Sequence, residues 1–251
     1  MILCKTLLSL ASCVKEEIQL NIAILLAGGT GSRVGASIPK QFIEVLGKPI
    51  LIYCLETFQK HTQIDGIVLV CHKDYLEKAK ELCEAYGITK IMQIVPGGED
   101  FTHSCMNGME YLRGRCKSRD NVLIVAADRP FIADAEINEA IALSTRHGSG
   151  IPVRKCPLCM FVVNEDRTHS HDYQRENLVQ IQSPWTFQYG LFQEALDRYN
   201  AGLLPPCENY PVAMFAAAGN EVYFAKGDPR NIKITEKTDI ALMEQMLKEG
   251  L

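Results

Sequence analysis

Three glycines directly behind an apolar run are the first residues in this chain with a chemical reading. Leu25-Leu-Ala-Gly28-Gly29-Thr30-Gly31-Ser32-Arg33 leaves backbone N–H groups free of side-chain obstruction, so they can approach phosphate oxygens. Arg33 and Lys40 add positive charge to the same stretch. Two common phosphate binders do not fit it. A Walker loop needs Gly-Lys-Ser/Thr, which this stretch lacks. A dinucleotide fingerprint needs a third glycine, but Val34 stands in its place. The next apolar run also closes on Cys71-His72 with no acidic residue for a ribose.

Other chemically suggestive groups read as structural. The ten cysteines sit mostly in apolar contexts such as Ile-Tyr-Cys54-Leu, which suits reduced cysteines packed as small hydrophobes. Cys156-Pro-Leu-Cys159 is the one close pair, and no second pair follows at zinc spacing. Thr168-His-Ser-His171-Asp172 offers two histidines without a third ligand nearby, so it reads as a solvated stretch.

The elements that must position the glycine loop follow from short apolar runs alternating with longer amphipathic segments. That alternation predicts an α/β fold: a Rossmann-like, mostly parallel twisted sheet flanked by helices. Strands are expected at 21–27, 66–71, 90–95, 121–127, 151–154 and 221–225. Helices are expected at 49–60, 74–86, 101–113, 133–147, 189–199 and 237–248. Ile50, Leu51, Cys54, Leu55 and Phe58 share one helical face in the first of these. Asp134 or a neighbour is the expected N-cap of the fourth. Residues 155–173 read as irregular, an excursion from the sheet such as a dimerisation arm. Residues 231–235 read as strand-like.

Composition bounds the rest. A chain of 251 residues with 47% hydrophobic and 22% charged residues is neither disordered nor fibrous. The net charge of -4 gives no global basic field for nucleic acid. Uncharged runs fall short of the ~20 residues of a membrane helix. Leu10-Ala-Ser-Cys13 is superficially like a lipoprotein processing site, but the apolar run before it is too short for a signal core. Residues 1–20 therefore read as an N-terminal extension. Residues 21–251 read as a single domain with an arm inserted at about 155–185, in a cytoplasmic protein.

Several spaced motifs in one order resemble a known family. Leu26-Ala-Gly-Gly-Thr-Gly-Ser-Arg33, Pro39-Lys-Gln41, Gly47-Lys-Pro49, Gly97-Gly98 with Ser104, Arg129-Pro130, and Asn231-Ile-Lys-Ile-Thr235 are similar to the cytidylyltransferases acting on 2-C-methylerythritol 4-phosphate or ribitol 5-phosphate. Leu-Ala-Gly-Gly and Arg-Pro-Phe131 lean toward the ribitol branch. The resemblance implies attack of a polyol phosphate on the α-phosphorus of CTP, with Mg²⁺ as cofactor. Arg33, Lys40 and Lys233 are implied as the catalytic cations. Nucleotide contacts fall on Ala27, Gly28, Gly29, Thr30, Gly31, Gly98 and Ser104. The acceptor would meet Arg129, Arg154, Arg175, Ser183 and Glu208, and Asp128 would bind the metal. A homodimer through the arm is implied as well.

The chain departs from that family pattern at several positions. Asp128 directly precedes Arg129, where relatives place the carboxylate three residues before the arginine. Phe101 stands for an arginine, Trp185 for a glutamine, Ser183 for a threonine and Glu208 for an aspartate. Two alternatives therefore stand beside the first reading: a broader sugar-phosphate nucleotidyltransferase using another base, and a catalytically degenerate relative that only binds nucleotide.

Overall fold

The computed structural model describes residues 18–29 and 38–250. Most of the N-terminal extension, and Thr30, Gly31 and Arg33, lie outside the described residues.

The first strand, β1 (Asn21–Ala27), is buried on both faces. Ala23, Leu25 and Ala27 point into one core layer, and Ile22, Ile24 and Leu26 into the other. A strand covered on both sides needs a continuous apolar run, which is why 21–27 shows no polar alternation. A two-strand hairpin follows, β2 (Glu44–Val45) with β3 (Lys48–Pro49), turning at Leu46-Gly47. Gly47 has φ of +77°, which glycine adopts without steric cost. Next come α1 (Ile50–Lys60), β4 (Gly66–Cys71), α2 (Leu76–Ala85), β5 (Ile91–Pro96), α3 (Phe101–Leu112), β6 (Asn121–Ala126) and α4 (Asp134–His147). All five apolar residues assigned to one face of α1 are buried.

Helix α4 starts one residue later than expected. Its N-cap is Ala133, and Asp134 is the first helical residue. The Glu136 carboxylate accepts the Ala133 N–H at 3.0 Å, the half of a capping box supplied by the N3 residue, while alanine at the N-cap offers no side-chain acceptor.

The second half holds β7 (Ser149–Lys155), β8 (Phe161–Val163), β9 (His169–Asp172), β10 (Val179–Ile181), β11 (Trp185–Gln188), α5 (Tyr189–Asn200), α6 (Pro211–Ala217), β12 (Phe224–Lys226) and α7 (Lys237–Lys248). Here the structure departs from the sequence reading: β10 and β11 were not expected, and the strand expected at 221–225 is β12 at 224–226. Residues 155–173 are not irregular, because β8 and β9 pair as an antiparallel hairpin. Residues 231–235 are not a strand, being held instead by side-chain and loop hydrogen bonds described below. Helix α6, which carries Pro211 in its first turn, escaped the periodicity reading.

The main sheet runs β10-β7-β11-β6-β1-β4-β5, with β12 also on β7. Strands β6, β1, β4 and β5 are mutually parallel, so their C-terminal ends share one edge. Strand β11 runs antiparallel to β6, pairing Trp185 with Ile124, so its N-terminal end meets the same edge. Helices α1, α2 and α4 cover one face, and α3, α5 and α6 the other. A third cluster, with Val45, Ile50, Ile234 and Met243, packs α7 and residue 234 against the hairpin and α1.

Candidate active site

The loops leaving β1, β5 and β6 converge at the C-terminal edge of the parallel strands, where ligands sit in open α/β sheets. Gly28 and Gly97 approach so closely that a Cβ on Gly28 would lie 3.4 Å from Gly97 Cα and 3.2 Å from Ser104 Oγ. Ser104 in turn accepts the Gly98 N–H at 3.0 Å. Two glycine-rich loops are thereby fixed side by side, with peptide groups available to a ligand.

Asp100 caps α3 by accepting the His103 N–H at 2.8 Å. Asn209 donates to the other Asp100 oxygen at 3.0 Å, and the Thr102 hydroxyl donates to the Asn209 carbonyl at 3.1 Å. These bonds tie the segment before α6 to the start of α3. Phe101, which lines the cleft, packs on Trp185 with ring centroids 5.5 Å apart, and Trp185 reaches Tyr210 at 6.1 Å. Two positions that depart from the resembled pattern, Phe101 and Trp185, therefore touch each other.

Lys40 sits on a short 3-10 turn, Lys40–Phe42, and is almost wholly buried. Its Nζ lies 2.5 Å from Asp128 Oδ2 and donates to the Ile234 carbonyl at 2.7 Å. The Ile234 N–H donates to the Asp128 carbonyl at 2.9 Å. Three distant stretches of chain thus close on one ammonium. The remaining oxygen, Asp128 Oδ1, is buried without a hydrogen-bond partner among the described residues, as is Gln41 Oε1. An unsatisfied buried acceptor costs roughly 1–3 kcal/mol, more for a charged one, so these oxygens await a donor or a cation.

The resulting cleft holds about 560 Å³. Gly28, Gly29, Lys40, Gly98, Ser104, Asp128 and Lys233 all line it, which brings together the described part of the expected nucleotide, cation and metal set. Ala27 lies buried at the end of β1 beside it. The other cations are placed differently. Arg129 donates Nη1 to the Asn231 carbonyl and side-chain oxygen at 2.8 and 3.2 Å, outside the cleft lining. Arg154 donates Nε to Gln180 at 2.6 Å, and Arg175 is exposed on a 3-10 turn of the arm. Ser183 is buried at the entry to β11, its Oγ accepting the Ala126 N–H at 3.3 Å. Glu208 is exposed on the segment before α6 and does not reach the cleft. Of the expected cations that are described, Lys40 and Lys233 line the cleft.

The donor set suits a magnesium ion rather than a protein-caged metal. No group of three or more His, Cys, Asp or Glu residues able to hold a metal occurs among the described residues. Mg²⁺ is commonly held by one or two carboxylates plus waters and phosphate oxygens, which a single free Asp128 oxygen fits.

Gln41, Asn231 and Glu136 were missed as site-forming residues. Gln41 and Asn231 lay in view within Pro-Lys-Gln and Asn-Ile-Lys. Nothing in the sequence marked Glu136 beyond its helical position.

A family model for IspD, 2-C-methyl-D-erythritol 4-phosphate cytidylyltransferase, matches residues 21–249. The chain belongs to the IspD family. A ribitol-5-phosphate cytidylyltransferase from Lacticaseibacillus paracasei is 31% identical over 90% of this chain and 97% of its own length. A 2-C-methyl-D-erythritol 4-phosphate cytidylyltransferase from Clostridium botulinum is 34% identical over 91% and 98%. The crystal structure of 4-diphosphocytidyl-2C-methyl-D-erythritol synthase from Anaerococcus prevotii superposes with a TM-score of 0.78 at 25% identity, covering 92% of this chain and 96% of that one. This IspD-family chain is a nucleotidyltransferase, and its mixed, mostly parallel sheet is the fold of those structures. Among the described residues no helix is long and apolar enough to cross a membrane.

Proposed function

We propose that this protein transfers CMP from CTP to a polyol phosphate, ribitol 5-phosphate or 2-C-methyl-D-erythritol 4-phosphate, giving a CDP-polyol and pyrophosphate. The observation that carries this reading is the meeting of Lys40, Lys233 and Asp128, whose Oδ1 has no hydrogen-bond partner among the described residues, in one cleft lined by glycine backbone. Relatives named for either acceptor support both choices.

The chemistry asks little of acid–base groups. An acceptor phosphate is already an anion near neutral pH, so its oxygen attacks the α-phosphorus without a general base. What the reaction needs is positioning and neutralisation of charge that builds in the transition state. Lys40 and Lys233 supply cations from opposite ends of the chain, and Arg33, with Thr30 and Gly31, joins them from the glycine loop. Backbone at Ala27, Gly28, Gly29 and Gly98, with Ser104, reads the base, where a small pocket excludes purines by size. Asp128 is the residue that would hold Mg²⁺, which when bound neutralises phosphate charge.

Ser183, Arg129, Arg154, Arg175 and Glu208 are assigned to the acceptor side. Arg154 and Arg175 flank the hairpin, and the arm presents Leu158, Met160, Phe161 and Val163 to solvent, an apolar edge that suits a homodimer. Buried, unpaired Cys54, Cys71, Cys83 and Cys105 suit a reducing, cytoplasmic setting.

The test is pyrophosphate release from CTP with each polyol phosphate in turn, alongside ATP, GTP and UTP. Release with CTP and one of these acceptors is expected. No release with either acceptor, or equal use of a purine nucleotide, rejects the assignment.

A further inference from the structure

Glu136 lies outside the cleft lining, on the first turn of α4, yet it is only 2% exposed. Its carboxylate accepts three N–H groups. Oε2 takes the Ala133 N–H, and Oε1 takes the Asp228 N–H and the Asn231 side-chain amide, each at 3.0 Å. A buried carboxylate costs heavily unless such donors satisfy it. A simple helix cap would need one of these bonds, not three.

The other two bonds act on a segment that has no ladder to hold it. Asn231 also donates to the Ser183 carbonyl at 2.7 Å, and its own carbonyl accepts from Gln182 at 3.0 Å and Arg129 at 2.8 Å. Downstream, Ile234 is pinned between Asp128 and Lys40. Asp239 of α7 then accepts the Thr235 and Glu236 N–H groups at 2.7 and 2.8 Å. Lys233 stands between two fixed points, Asn231 and Ile234, in a stretch of non-repetitive backbone. The placement of its ammonium is set by how firmly those points are held.

We propose that Glu136 is a positioning residue for nucleotidyl transfer, its buried carboxylate fixing Asn231 and through it the Lys233 segment against the cleft. This rests on the cytidylyltransferase reading above. A misplacement of about 1 Å at a reacting centre can cost about a hundredfold in rate, so a remote anchor can matter to chemistry.

The experiment is a double-mutant cycle on turnover and CTP affinity, using wild type, Glu136→Ala, Lys233→Ala and the pair. Alanine removes both oxygens and so releases the Asn231 amide, which glutamine could still hold at the Oε1 position. Glu136→Ala is expected to fold with unchanged circular dichroism and to lose at least tenfold in kcat. In the Lys233→Ala background the same change is expected to cost less than twofold. An equal loss in both backgrounds means Glu136 acts independently of Lys233, and overturns the proposal. So does an unaltered kcat in the single variant. Should Glu136→Ala fail to fold, Glu136→Asp, which keeps the charge and shortens its reach, enters the same cycle. Wild-type protein without turnover on either acceptor overturns the functional reading and this inference together. Normal wild-type turnover with additive losses overturns this inference alone.

Discussion

Lys40 Nζ sits 2.5 Å from Asp128 Oδ2, so a cation assigned to triphosphate and a carboxylate assigned to metal neutralise each other. The pair lets two buried charges coexist before any ligand arrives. It also leaves Asp128 Oδ1 without a hydrogen-bond partner among the described residues, in a residue that lines the cleft.

Removing the cation should separate chemistry from stability. Lys40→Met is expected to lower kcat by about 10²–10³-fold, the range seen when one preorganised transition-state contact is lost. Breaking a buried ion pair also costs about 3–5 kcal/mol, so urea unfolding should shift to lower midpoint. Activity within a few-fold of wild type would refute the role given to Lys40.

The metal assignment predicts a separable effect at Asp128. Chelation with EDTA should abolish turnover, and added Mg²⁺ should restore it. Asp128→Asn keeps the shape but loses the charge. It should need at least tenfold more Mg²⁺ for half-maximal turnover and should weaken Mn²⁺ binding measured by electron paramagnetic resonance in the presence of CTP. Wild-type metal dependence in this variant would place the ion elsewhere.

Glu136 predicts a pH effect of definite sign. Burial pushes its carboxyl above the ordinary glutamate value; the Asn231, Ala133 and Asp228 donors oppose this, and the Asp228 charge reinforces it. Arg129 and Arg230 are the cations that feel its field. As pH falls, Glu136 therefore takes up its proton above the usual value near 4.3. A protonated oxygen would then meet N–H groups it had accepted, and turnover should fall. Stability moves the other way. A carboxyl whose folded pKa is raised contributes stability that is full below its unfolded pKa and lost as pH rises through its folded pKa. The acid loss of kcat should therefore not be accompanied by unfolding from this group. The acceptor phosphate titrates alike in both proteins, so Glu136→Gln should flatten the acid limb relative to wild type. Superimposable profiles would reject it.

The cysteines should separate by access. Burial pushes the Cys54 and Cys71 thiols up to about 12 and Cys83 up to about 11, whereas Cys159 is exposed on the arm. Thiolate is the reactive form, so among the described cysteines iodoacetamide at neutral pH should label Cys159 first. Peptide mapping that finds Cys54 or Cys71 modified as fast in native protein would contradict the packing.

What could be read from sequence followed burial. Strands β1, β4 and β6 are covered on both faces, so their apolar runs announced them to within a residue. Strand β10, at the sheet edge, and the short β11 inside it carry mixed burial, and Gln180, Gln182 and Gln188 interrupt any clean run. The 231–235 segment looked like a strand because Ile232 and Ile234 alternate with polar residues. Ile234 is instead buried against Val45, Ile50 and Met243, and no neighbouring backbone completes a ladder. The cleft's glycines, Lys40, Asp128 and Lys233 were visible as motif members. Glu136 was not, because a carboxylate in a first helical turn is ordinary, and only the tertiary arrival of Asp228 and Asn231 makes it an anchor.

Trp185 is the chain's single tryptophan, and its ring lies against Phe101 at the cleft. Excitation at the red edge of protein absorbance would thus light one indole, a ring's width from the cleft lining at Phe101. Filling or drying that cleft should change its emission. The protein carries its own optical reporter of occupancy, readable without label or turnover.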